Sequence, residues 1–249
     1  MRSIYILWYR NVLKYLRSKS RVVGSLGMPF FFLAILGTGL NSAVDLPGMQ
    51  GGYLEFIAPG IVAMSVLFAS MFSGTQLVMD KQFGFLKETF VAPVSRFRIM
   101  LGQTLGGATI ALIQGTLIFI LSLLIGVPPP GLVGVLQIFG FMFLIGVAFT
   151  ALGICFASQM EDTQGFTLII NFVMFPLFFL SGALFPLSQI PDWLNFLVYV
   201  DPLTYGVEGI RDGMMGNAQI NPWLSLGALG GFTAFILLLG TWLFRRIKL

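Results

Sequence analysis

Six stretches of the chain are continuously apolar. They run over Val22–Leu40, Ile57–Met79, Ile99–Ile125, Leu132–Ala157, Phe166–Phe185 and Leu224–Phe244, each of 19 residues or more. At about 1.5 Å of helical rise per residue, each can cross the roughly 30 Å hydrocarbon core of a bilayer. Strands of a membrane β-barrel are shorter and alternate apolar with polar residues. The pattern therefore predicts an all-α integral membrane protein with six transmembrane helices.

Three segments outside these runs are too patterned to be plain connections. Ser3–Ser20 carries Tyr5, Trp8, Tyr9 and Tyr15 among basic residues, which suits a helix at the lipid headgroups; a simple topology anchor explains the charges equally well. Its basic residues precede the first long apolar run in a way that argues against a cleaved signal peptide. Asp80–Arg98 holds Phe83, Leu86 and Phe90 at i, i+3 and i+7, one face of a short helix decorated by Lys81, Lys87 and Glu88, and ended by Ala92-Pro93. Such a helix either lies in the interface or docks on a protein partner. Pro186–Asn221 includes Trp193–Tyr199, too apolar for a free loop and too short to cross. It predicts re-entrant or surface helices broken at Asp201-Pro202, with Glu208 and Arg211 placed to pair at i, i+3. The remaining turns are short: Gly126–Gly131 with Pro128-Pro129-Pro130, and Ser158–Gly165 with Glu161 and Asp162, a solvated turn or a site for a cation or a basic partner.

Charge orients this array. Thirteen of the 14 lysines and arginines precede the first run, lie between the second and third, or follow the sixth; Arg211 is the exception. The positive-inside rule then places both termini in the cytoplasm; the membrane expected for the chain is the inner (cytoplasmic) membrane of the cell. Composition agrees: of 249 residues 57% are hydrophobic and 10% charged, with a mean hydropathy of +0.91, against about 25% charged residues in soluble domains. Once six crossings are allotted, what remains is too little for a second folded domain, so residues 1–249 are expected to form one membrane domain.

Absences narrow the chemistry. There is no histidine, which excludes His-based nucleophile triads, histidine zinc sites and haem ligation by His. Cys155 is the single cysteine and cannot form an intrachain disulfide. No GxxxxGK[ST] phosphate loop exists. Metal and nucleic acid are not expected as ligands, and no catalytic residue is assigned. The predicted spans contain no run of ionisable residues; Asn171 and Ser181 are among their neutral polar groups. An ion-coupled carrier normally places acids or bases at the midplane, so the energy for any transport is expected from an external motor. An autonomous secondary carrier and a non-transporting assembly subunit are the rival readings.

Phe83-Gly84-Phe85-Leu86-Lys87-Glu88, Pro93-Val94-Ser95-Arg96 and Leu101-Gly102-Gln103, together with Asp201-Pro202-Leu203-Thr204-Tyr205 and Gly209-Ile210-Arg211, resemble the ABC type-2 permease family, particularly its daunorubicin-resistance type of drug exporter. Gly84-Phe85 departs from the Gly-Thr of many members. The resemblance implies a permease dimer, each copy recruiting a separate cytoplasmic ATPase that binds ATP and Mg, with no cofactor in this chain. It makes Phe83, Gly84, Phe85, Leu86, Lys87, Glu88 and Phe90 a coupling helix seated in that ATPase. Asp201, Tyr205, Glu208 and Arg211 become candidates for an external helix or gate. Spans one and five would form the dimer interface beside the substrate path, with Asn171 and Ser181 as path candidates and an amphipathic drug-like, lipid or glycolipid substrate.

Overall fold

The computed structural model describes residues 2–40, 52–85 and 94–246. Its helices are α1 (Arg2–Arg17), α2 (Lys19–Phe31, continued by a π-helix Phe32–Gly37), α3 (Tyr53–Phe72), α4 (Gly74–Gln82), α5 (Arg96–Ile125), α6 (Leu132–Gln159), α7 (Thr163–Leu180), α8 (Asp192–Val200), α9 (Pro202–Met215) and α10 (Pro222–Arg246), and no strand occurs among the described residues. Five spans, Tyr53–Gln82, Arg96–Ile125, Leu132–Gln159, Thr163–Leu180 and Pro222–Phe244, are individually long and apolar enough to cross a membrane. A sixth is reached when the bent pair Ser3–Arg17 and Val22–Gly37, which meet at 73°, is counted as one span. The bend falls between α1 and α2, and α2 begins at Lys19, ahead of the expected Val22. Pro29 lies inside α2 and has no N–H to give to the ladder, and the chain widens into π geometry immediately after it.

Two other boundaries move for local reasons. The second span is longer than the apolar run and takes in Glu55, which sits in the first turn of α3 where the helix dipole favours an acid. It is jointed at Ser73: the hydroxyls of Ser70 and Ser73 donate to the carbonyls of Val66 and Ser70, each at 2.6 Å, which bends a helix. The fifth span stops at Leu180 instead of Phe185, because the chain turns at Gly182 with φ 72°, a conformation that favours glycine.

Helix α3 is the axis of the bundle, enclosed by α5, α6 and α9. Lipid tails are as apolar as leucine, so helices inside a bilayer associate mainly through close packing. Small residues supply that closeness here. A side chain at Gly102 would meet Leu7 Cβ at 2.9 Å, and one at Gly106 would meet Asn11 Cβ at 2.9 Å. The Gly102-x-x-x-Gly106 stripe is thus the groove in which α1 lies along the first half of α5. The opposite side of α1 exposes Tyr5, Ile6, Tyr9 and Leu16, an apolar and aromatic face suited to the headgroup boundary. Helix α7 is attached more sparsely, through Phe68, whose ring meets Phe175 and Phe178 edge-on at 5.9 and 6.4 Å, and it leaves Leu168, Phe172 and Phe179 exposed. Both ends of the described chain lie beside the start of α5: Ile4 borders Gly102, and Gly240 borders Met100.

Candidate functional site

At the end of the bundle that holds the termini, the exit of α4 is tied to three other helices. Asp80 is buried and takes Arg10 of α1 at 2.5 Å and Gln76 at 2.7 Å. Lys81 donates to the carbonyls of Ser158 and Met160 at 3.0 and 2.7 Å, covering carbonyls that the end of α6 leaves open. Gln82 reaches Glu161 O at 2.9 Å and receives Thr163 Oγ1 at 3.2 Å, so it grips the start of α7. Lys81 therefore belongs to this knot and is not a decoration of the short amphipathic helix. Asp162 caps α7 by accepting Gly165 N at 2.6 Å, which gives one of the two carboxylates in that turn a structural task.

The chain leaves the knot directly into the predicted coupling residues. Gly84 adopts φ 79° and redirects the backbone, and helical conformation resumes at Phe85. Phe83 and Phe85 are 70% and 52% exposed. Leu86, Lys87, Glu88 and Phe90 lie outside the described residues. The knot itself escaped sequence reading. Gln76 and Asp80 stand at the i, i+4 spacing of a helix pair, but nothing in the spacing announces Arg10 or the α6 carbonyls.

At the opposite end, Pro186–Asn221 folds into the expected helix pair, and α9 is buried against α3, α6 and α10. Its start is set by Asp201, whose Oδ1 accepts Leu203 N at 2.8 Å, with Pro202 in the first turn; its end is set by Gly216 in the left-handed conformation. Burial pushes the Asp201 carboxyl well above the usual carboxylate range, against the opposing pull of the Leu203 N–H. Tyr205 donates to Tyr199 O at 2.8 Å, fastening α9 to α8. Glu208 and Arg211 pair on α9, both almost wholly removed from solvent. The second Glu208 oxygen accepts Gln219 N and Ile220 N at 2.5 and 3.2 Å. Arg211 donates to Gly182 O at 2.8 Å and lies 4.5 Å from the Phe56 ring centroid. One ion pair thus fastens the loop after α9, the turn after α7 and the first turn of α3. Burial draws the Arg211 guanidinium down, and Glu208 opposes that shift.

Neither path candidate bonds to either cluster, although Ser181 adjoins Gly182, whose carbonyl accepts from Arg211. Asn171 is half-buried on α7, and Ser181 is buried with its hydroxyl donating to Phe178 O at 2.7 Å. A cavity of about 530 Å³ opens instead between α1, α2, the α3–α4 span and α5, and neither residue lines it.

A sequence profile of the ABC-2 type transporter family matches residues 2–215, and the chain belongs to that family. Among its relatives, transport permease ycf38 of Pyropia yezoensis is 32% identical over 218 residues, covering 85% of this chain and 73% of that protein. The ycf38 permease of Cyanophora paradoxa is 28% identical over 213 residues with the same coverage. Nodulation protein J of Rhizobium meliloti (strain 1021) is 28% identical over 246 residues, covering 96% of this chain and 92% of that protein.

Proposed function

We propose that this chain is the membrane subunit of an ATP-driven exporter, working as a dimer in the cytoplasmic membrane with both termini in the cytoplasm. The partner is a separate ATPase, which binds ATP and Mg, and it seats the segment Phe83–Phe90. The observation that carries this reading is the placement of exposed Phe83 and Phe85 directly after a junction bonded to α1, α6 and α7. A displacement of that segment reaches three helices at once, which is what rocking between two packings requires. Glu208 and Arg211 hold the far end as one body and are the gate candidates with Asp201 and Tyr205. Asn171 and Ser181, on the sparsely attached α7, remain candidates for the path. The cargo is an amphipathic drug-like, lipid or glycolipid molecule, since an ion is costly to bury in walls this apolar.

The test is co-purification of the ATPase from detergent-solubilised native membrane. Burying a phenylalanine or leucine is worth about 1.5–3 kcal/mol, so Phe83→Ser, Leu86→Ser and Phe90→Ser together lower docking at least about a hundredfold without affecting insertion. Undiminished ATPase in the eluate of the triple variant would remove the docking role.

A further inference from the structure

We propose that the cavity beside α1 binds an anionic amphiphile, an acyl chain with an acidic head, taken from the leaflet next to the termini. The site stands independently of the transport reading.

The volume of about 530 Å³ falls within the roughly 300–1,000 Å³ of small-molecule sites. Its walls are of two kinds. Met28, Phe68 and Phe72 form an apolar side, and Asn11, Tyr15 and Lys14 of α1 line the other. On that side Asn11 donates to Gln103 Oε1 at 2.6 Å while its own Oδ1 accepts no hydrogen bond among the described residues, and Tyr15 OH accepts from Gln114 at 2.9 Å. Lys14 differs. It is exposed, and it makes no ion pair among the described residues. The acid nearest in sequence to cavity-lining Gln76 and Met79 is Asp80, and Arg10 compensates it, so among the described residues no carboxylate lines the cavity to offset the lysine. Arg17 and Lys19 follow at the bend into α2, both exposed, and extend the positive rim.

Water alone would leave the phenylalanine wall wet, and a purely apolar guest would leave Lys14 without an anion. An occupant with a tail and an acidic head satisfies both. The rim lies where basic residues meet anionic headgroups. Slack for a chain exists on the α2 side, where a side chain added at Gly24 would meet nothing within 4 Å.

The experiment is native mass spectrometry of the delipidated, detergent-solubilised full chain with dioleoylphosphatidylglycerol or dioleoylphosphatidylcholine. One tight adduct per chain is expected, with the anionic lipid favoured about fivefold, the effect of one lysine on anionic lipid. Lys14→Ala abolishes the preference. Ser25→Trp and Ala69→Phe, which fill the cavity, each reduce both adducts. Equal binding of the two lipids by the wild-type chain would overturn the proposal without recourse to any variant; so would undiminished adducts in both filled variants that remain monodisperse. Extraction of bound lipid before and after ATP turnover identifies the source. Retention marks a resident bilayer lipid and depletion marks cargo, and both support the site.

Discussion

Replacing Glu208 by glutamine keeps its shape and removes its charge, which isolates what the ion pair with Arg211 contributes. Breaking a buried pair costs about 3–5 kcal/mol, because the remaining charge is stranded. Glu208→Gln is therefore expected to lower the melting temperature in detergent clearly, whereas Glu208→Gln with Arg211→Met recovers much of the loss. A wild-type melting curve for the single variant would show that Arg211 is held by Gly182 O and Phe56 alone. At this scale the sequence was legible only in part. The i, i+3 spacing of Glu208 and Arg211 gave the pair, and Asp201-Pro202 gave the helix start. Gly182 and Phe56 are remote in sequence, and no local rule connects them to Arg211. The burial of the pair was equally invisible, since both residues stand in a segment of mixed polarity.

Among the elements, glycine spacing decides how α1 is held. Gly106→Val places its extra atoms against Asn11 and disrupts the Asn11–Gln103 bond, so α1 loses its groove on α5 while the long spans still insert. Amide exchange over residues 3–17 is expected to accelerate by more than about tenfold, with exchange in α6 unchanged; equal protection in wild type and variant would contradict the packing role. Continuous apolar runs located the helices well because membrane spans must be apolar along most of their length. Run length misplaced the end of the fifth span, where Gly182 turns the chain, and could not show the joint at Ser70 and Ser73 or the π turn after Pro29. Those residues are plain in the sequence, but each has several structural outcomes.

Across the whole molecule, hydropathy locates the five or six candidate spans and leaves open which ones touch. Every span is apolar all round, so no stripe reveals that α3 is enclosed while α7 is nearly bare. The knot at Asp80–Gln82 and the cavity beside Lys14 arise from such contacts, and for that reason neither could be read beforehand. The lone arginine of the face opposite the termini now has a second meaning. The described connecting segments on that face, residues 126–131 and 181–221, contain no lysine and no arginine other than Arg211, the sequence of 41–51 contains none either, and Arg211 is 1% exposed. A trypsin-like protease thus finds nothing to cut there in the folded protein. Sealed vesicles presenting that face should keep the chain intact, and vesicles of the opposite orientation should lose its basic ends. The fold has, in effect, hidden one side of the membrane from any protease that cuts at basic residues.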